Sequence, residues 1–156
     1  MKKHFHYIGL FLVSVLGLLW TGCENIDVDD EGMPFALRSF ADQYFQGRGI
    51  SDYRELPNGN YELTISNGPT MTVSIIPSTN PITQDYANLL SYNGQGETMP
   101  QNMAYNFFPE PLYDYIDGLE SINQIYTFTL KNNIYTVGLL DTQVIYDSSS
   151  GKITET

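Results

Sequence analysis

The chain has 156 residues, with seven lysines and arginines against 18 aspartates and glutamates, a formal net charge of −11 at pH 7. A surface this acidic repels phosphate backbones and anionic lipid headgroups, so the composition excludes nucleic acid as a partner. The length suits one domain large enough to bury about two-thirds of its unfolded surface.

The segment 1–22 has the anatomy of a secretory signal. Two lysines precede an apolar stretch from about Ile8 to Trp20, and Thr-Gly-Cys follows. The stretch is shorter than the roughly 20 residues of a membrane-spanning helix. It resembles a bacterial lipobox, and we expect residues 1–22 to be removed and the thiol of Cys23, the only cysteine, to be acylated. An ordinary secreted protein with an incidental cysteine is the alternative.

The predicted lipid sets the expected location. Several acyl chains on one cysteine make dissociation from a membrane negligible. The polar, acidic segment 23–32 after it predicts a flexible tether, and acidic residues there resemble surface-export signals of some Gram-negative lipoproteins. We therefore expect an outer-membrane lipoprotein on the cell surface or the periplasmic face, held to the membrane by its lipid anchor only.

The tether also matches half of a calcium-binding loop. Asp27, Asp29, Glu31 and Gly32 follow the D-x-D-x-D-G pattern, but the twelfth position, which requires a bidentate glutamate, is Arg38. We interpret the run as a solvated tether and predict no metal site and no cofactor.

Most catalytic arrangements cannot be built from the chain that remains after cleavage. His4 and His6 leave with the signal and Cys23 is consumed, so no imidazole or free thiol is left for a nucleophilic triad or a typical zinc site. We predict no catalytic residues. A carboxylate-dependent glycan or cell-wall hydrolase is the alternative, with Asp114 and Asp117 on one helical face as its candidate acids.

One helical pattern occurs twice at a constant offset along the chain. After Pro34, apolar residues recur at helical spacing, and after Pro109 they do so again. The pairs are Leu37 and Leu112, Phe40 and Tyr115, Ala41 and Ile116, and Tyr44 and Leu119. Each pattern predicts a helix that begins at a proline and ends near glycine, at Gly47 and Gly49 in the first copy and at Gly118 in the second.

Alternating strands follow each predicted helix. Tyr61, Leu63 and Ile65 alternate with polar residues, and Tyr135, Val137 and Leu139 take the matching places in the second copy. Tight hairpins are predicted at Asn58-Gly59, Asn67-Gly68 and Asn132-Asn133, whose residues tolerate positive φ.

The two copies define the predicted architecture. We expect an α+β fold of two tandem helix-plus-antiparallel-meander repeats, 33–76 and 107–156, with each helix packed on a β-sheet in a single domain, 33–156. Residues 77–106, which contain three prolines and two glycines, are predicted to be a linker. Ala87 to Tyr92 is its one candidate strand, placed at the edge of the first sheet.

These segments resemble a family. The stretches MPFALRSFADQYFQGRGISDYRELPNGNYELTISNG and FFPEPLYDYIDGLESINQIYTFTLKNNIYTVGLLDTQVIYDSSSGKI resemble the tandem PepSY-like group, described as β-lactamase-inhibitor-like proteins exported by Gram-negative gut bacteria. The resemblance implies a β-lactamase-inhibitor-protein-like sheet-and-helix fold, export and no catalytic residues. Likeness of fold does not transfer function.

We expect a non-catalytic protein-binding module of the cell envelope, with inhibitor-like action as one form of it, whose partner is an unidentified envelope or extracellular protein. Tyr86, Tyr92 and Tyr105, in or beside the predicted linker, are the candidate contact residues, because exposed aromatics make good interface anchors. An accessory subunit of an outer-membrane uptake complex is a further alternative.

Overall fold

The computed structural model describes residues 32–80 and 82–156. The predicted signal, the lipid attachment site Cys23 and all of the predicted tether except Gly32 lie outside these residues, as do the acids of the partial calcium loop.

The described chain contains three α-helices, one short 3-10 helix and eight strands. In chain order they are α1 (Phe35–Tyr44), β1 (Ile50–Glu55), β2 (Tyr61–Ile65), β3 (Thr70–Ile76), β4 (Tyr86–Asn93), α2 (Gln101–Phe107), α3 (Glu110–Gly118), the 3-10 turn Ile122–Gln124, β5 (Thr127–Lys131), β6 (Ile134–Gly138), β7 (Gln143–Asp147) and β8 (Lys152–Glu155).

All eight strands form one antiparallel sheet in which sequence order and spatial order coincide. Every strand therefore pairs with its neighbours along the chain, and the α+β class predicted from sequence is confirmed. Four strands follow α1, and four more follow α3.

Residues 77–106, predicted to be a linker with one candidate strand, hold that strand as β4 and also the helix α2, which was not predicted. Strand β4 lies inside the sheet between β3 and β5, so the expected position at an edge was wrong. Its residues Ala87, Leu89 and Tyr92 are buried, and this apolar face draws the strand into the core. Helix α2 buries Met103 and Ala104 on its inner side.

Both predicted helices are present, and the second is shorter than expected. Leu37, Phe40 and Ala41 of α1 are buried, as are Leu112 and Ile116 of α3. Helix α3 ends at Gly118, so Leu119 is exposed and does not continue the apolar face. The residue with positive φ at this end is Glu120, at +56°, and not Gly118.

The hairpins follow the predicted turn residues. Asn132 and Asn133 both have positive φ, 52° and 64°, the combination that a two-residue turn of type I′ requires. Asn67 also has a positive φ of 51° and joins β2 to β3.

The three helices and one face of the sheet enclose the core. Phe128 of β5, 1% exposed, packs its ring 5.1 Å from that of Phe108 and 6.1 Å from that of Tyr135. Phe40, Tyr44 and Phe107 form a second aromatic cluster between α1 and α2. Within the described residues, no polar or charged residue is buried.

An arginine clamp joins three connections at one end of the sheet. Arg48, after α1, donates hydrogen bonds to the carbonyl oxygens of Ser66 and Asn67 at 3.0 and 2.6 Å. It also donates to the carboxylate of Glu97, after β4, at 2.6 and 3.2 Å. A Cβ on Gly68 would overlap the guanidinium, so the clamp requires glycine there.

Candidate functional site

One face of the sheet has none of the described helices over it, and we call this the open face. Side chains alternate between the two faces of a strand, so the neighbours of the buried residues point away from the helices. None of these neighbours is buried. Most are small and polar: Thr64, Thr70, Thr72, Ser74, Asn88, Ser91, Asn93, Thr127, Thr129, Thr136 and Thr154.

One row of the open face crosses the whole sheet. The strand registers place one residue from each strand side by side. From β1 to β8 the row is Arg54, Glu62, Thr72, Ser91, Thr129, Thr136, Ile145 and Thr154. With about 4.8 Å between strands, it is on the order of 30 Å long, the length of a standard protein interface.

Charge on the open face is balanced, unlike the charge of the chain as a whole. By register, the strands place three acids on this face, Asp52, Glu62 and Asp147, and three bases, Arg54, Lys131 and Lys152. Arg54 and Glu62 form an ion pair at 2.7 Å. The excess of acid therefore lies on the helical side and in the loops, including Glu110, Asp114, Asp117 and Glu120 on and after α3.

A groove runs beside α1, where the chain enters β4. Its larger cavity, about 340 Å³, is lined by Pro34, Phe35, Ala36, Ile75, Gln84 and Asp85. A smaller cavity of about 80 Å³ shares Ala36 and Asp85 and continues along α1 to Tyr86, Ala87 and Phe107. Among the described residues, Asp85 is the only charged one that lines either cavity, and its Oδ1 accepts a hydrogen bond from the amide of Ser78 at 3.0 Å.

The start of β4 borders this groove and, among the described strands, has a neighbour on one side only. Its register with β3 covers Tyr86 to Asn93, whereas its register with β5 covers only Ser91 to Asn93. Residues 86–89 are therefore paired with β3 but not with β5.

The structure separates the three tyrosines predicted to contact a partner. Tyr86 is 59% exposed and lines the groove, and Tyr105 is 69% exposed on α2, with its ring edge-on to that of Tyr113 at 5.5 Å. Tyr92 is 2% exposed, which corrects its selection as a contact residue. Its position opposite Met71 and Phe128 places the ring in the core.

Burial has a titration consequence at Tyr92. Removal from water, with the negative charge of Glu97 nearby, raises the pKa of Tyr92 to about 12. The guanidinium hydrogen bond from Arg48 lowers the pKa of Glu97. Both shifts come from structural contacts at the clamp end of the sheet and belong to neither cavity.

The candidate catalytic acids lie away from the groove. Asp114 and Asp117 are exposed on α3, and neither lines either cavity of the groove. In residues 32–80 and 82–156, no three His, Cys, Asp or Glu side chains are grouped so that they hold a metal ion.

Comparison with known proteins identifies the fold. No family model and no curated protein matches the chain. A solved structure of a candidate calcium-regulated periplasmic protein from Bacteroides thetaiotaomicron is similar, with a TM-score of 0.57 and 14% identity over 83% of this chain and 94% of that one. A candidate periplasmic protein of the DUF2874 family from Bacteroides vulgatus has a TM-score of 0.55 and 10% identity over 85% and 97%.

A second Bacteroides vulgatus protein, a candidate periplasmic protein of unknown function, has a TM-score of 0.56 and 13% identity over 82% of this chain and 94% of its own. At these identities the similarity defines the fold class alone. None of the helices in the described chain has the length and apolar character needed to cross a membrane.

The sequence did not predict either candidate surface, the open face or the groove beside the start of β4. The open face requires one continuous sheet, and the sequence analysis placed the candidate strand Ala87 to Tyr92 at an edge, so its pairing with β5, which joins the two halves, was not predicted. The alternation of Ala87, Leu89 and Tyr92 with polar residues was the available signal, although the extra residue at the β-bulge breaks its period.

Proposed function

We propose that this protein is a non-catalytic protein-binding module of the bacterial cell envelope, and that it binds its partner through the open face. The observation that carries the proposal is the row of side chains over all eight strands, left uncovered by the helices. A sheet held together by a core on its other face is a rigid platform, so binding there requires little reorganisation.

The composition of the open face favours a protein partner of mixed polarity. Threonine and serine hydroxyls both donate and accept hydrogen bonds, and non-obligate interfaces have about the polarity of ordinary protein surface. The balanced charge of this face removes the general repulsion that the rest of this acidic chain exerts. The exposed tyrosines Tyr86 and Tyr105 lie outside the open-face row, and the proposed interface does not depend on them.

Location in the envelope rests on two supports. The similar Bacteroides structures are described as periplasmic, and the segment 1–22 has the features of a lipoprotein signal. We propose an outer-membrane lipoprotein anchored through Cys23, facing the periplasm or the cell surface. Acylation of Cys23 is tested directly by the mass of the N-terminal peptide from membrane-purified protein.

We also propose that the fold arose from two tandem repeats of the PepSY-like, β-lactamase-inhibitor-like kind. Matching residues of the helical segments keep one constant offset, as Pro34 does with Pro109 and Ile50 with Ile125, and matching strand residues such as Tyr61 and Tyr135 are one residue closer. A helix followed by four strands occurs twice in the element order. The inhibitor-like form of the function is part of this proposal.

The experiment is a pull-down from detergent-solubilised envelope with the acylated protein as bait. The decisive variant is Thr129→Arg, which places a long cation in the middle of the open-face row, at an exposed position. We expect the wild type to retain a specific envelope protein and Thr129→Arg to lose it.

The matched control is Asn102→Arg, an equal charge change at an exposed position of α2. Equal loss with both variants would assign capture to general charge, and retention by Thr129→Arg would exclude the open face.

Capture of an outer-membrane transporter would favour the accessory-subunit alternative. Turnover of glycan that persists through purification and is lost in a variant of both Asp114 and Asp117 would favour the hydrolase alternative.

A further inference from the structure

We propose that the start of β4 is a docking edge for an extended peptide segment of another protein, one that carries lysine or arginine among apolar side chains. This site is distinct from the open face, so it goes beyond the proposed function and can fail or succeed separately from it.

Part of the β4 backbone is left unpaired by β5. Beyond the Ser91–Thr129 pair, β5 continues only to Lys131, whereas β4 extends back to Tyr86. At the register of that pair, residues 86–88 pass the end of β5. Amide and carbonyl groups on that side can therefore receive a short strand in the place where β5 has stopped, as in β-strand addition.

The groove adjoins this part of β4. Its smaller cavity, about 80 Å³, is lined by Asp85, Tyr86 and Ala87 together with residues of α1. Its larger cavity, about 340 Å³, also contacts Ile75 of β3 and so lies toward the paired side of the strand. Phe35 and Tyr86, at 55% and 59% exposure, line the groove and are available for contact. An added strand presents alternate side chains to each face, so main-chain pairing at β4 would place every second side chain toward such pockets.

The charge of the groove favours one kind of peptide over others. Asp85 is the one charged side chain that lines the groove in the part of the chain that the structure describes, and the full chain has a net charge of −11. A lysine or arginine opposite Asp85 gains an ion pair, whereas an acidic segment is repelled. The same reasoning disfavours the acidic residues 24–31 of this chain and a second copy as occupants.

The probe is the peptide acetyl-Lys-Val-Lys-Val-Lys-Val-Lys-amide, titrated into the ¹⁵N-labelled protein and followed by amide chemical shifts. We expect the largest shifts at residues 85–90 and at residues 35–44 of α1. A peptide with glutamate at every lysine position should bind at least about tenfold more weakly because of charge. A lysine peptide with N-methyl groups on two adjacent central residues, which blocks both edges of the strand, should also bind about tenfold more weakly, since it keeps the charge but loses strand hydrogen bonds.

Two variants separate the site from general attraction to an acidic protein. Asp85→Asn should weaken the lysine peptide by about threefold, as for an exposed ion pair. The control Asp114→Asn makes the same charge change on α3 and should leave its affinity unchanged.

Three results would overturn the inference. Equal binding of the N-methylated peptide would exclude strand pairing, and shifts centred on α3 would reduce the interaction to non-specific charge. Shifts of residues 85–90 that depend on protein concentration without peptide would assign the edge to a second copy. None of these results bears on the envelope partner, whose capture depends on Thr129.

Discussion

The two faces of the sheet are made by the same eight strands and have opposite compositions. On the covered face, Leu63, Val73, Phe128 and Val137 are at most 1% exposed. On the open face, the alternate residues are mainly threonine, serine and asparagine, and none is buried. Stability is therefore concentrated on one face, which leaves the other free to vary in sequence for recognition without loss of the fold.

Two neighbouring residues of β5 test this division most strongly. Phe128→Ala removes a ring that is 1% exposed and packs against Phe108 and Tyr135, and we expect a loss of about 3–5 kcal/mol in the free energy of unfolding. Thr129→Ala, at the next and exposed position, should change it by about 0.5 kcal/mol or less. Urea denaturation of both variants measures the difference, and similar losses would refute the division.

The pH dependence of stability gives a second test, at the buried Tyr92 of β4. Burial raises the pKa of its hydroxyl to about 12, from 10 in the unfolded chain. Because the folded pKa is the higher, its contribution to stability is complete below pH 10 and is lost as the pH rises from 10 to about 12, by an amount on the order of 2 kcal/mol.

Tyr92→Phe cannot ionise, so its unfolding free energy should fall less over this interval than that of the wild type. Tyr86→Phe, at the exposed start of the same strand, is the control and should follow the wild type. Denaturation between pH 9 and 12 makes the measurement. Parallel curves for the wild type and Tyr92→Phe would mean that the hydroxyl is not protected by burial.

Local features of this fold were predictable from sequence, and its long-range pairing was not. The helical spacing from Leu37 to Ala41 and the alternation from Tyr61 to Ile65 each describe one element, and both elements form where predicted. The position of β4 inside the sheet depends on pairing with β5, which follows only after two further helices, and no local period reveals that contact. The paired burial of Tyr92 against Phe128 follows from the same contact.

The candidate surfaces show the same limit. Tyr86 was selected because it lies among turn residues, and its exposure agrees with that reason. The open face and the one-sided start of β4 exist only once eight strands are aligned, because each is defined by which strands stop and which continue. Composition alone assigned three tyrosines to one class, although one of them lies in the core.

Two arginine–glutamate pairs, one at the end of the sheet and one on the open face, should differ in how much they stabilise the fold. Arg48 bonds Glu97 and two backbone carbonyls, so Arg48→Ala should cost about 1–2 kcal/mol. Its hydrogen bond holds the pKa of Glu97 below the ordinary 4.5, so the pair contributes fully above that pH and less as the pH falls through the lowered value. Arg48→Ala should therefore flatten the acid limb of the unfolding free energy below pH 4.5. An unchanged acid limb would contradict this assignment.

The ion pair of Arg54 with Glu62, on the open face, should give the smallest effect. The guanidinium bonds the carboxylate at 2.7 Å, but the arginine side chain is 64% exposed and the pair makes no contact with a backbone carbonyl comparable to those of Arg48. Water and salt screen it, and Arg54→Ala should cost no more than about 0.5 kcal/mol. Thermal unfolding at low and at high salt measures the loss. If Arg54→Ala lowered the free energy of unfolding as much as Arg48→Ala, the open face would contribute to stability. Its residues could then not vary for recognition without loss of the fold.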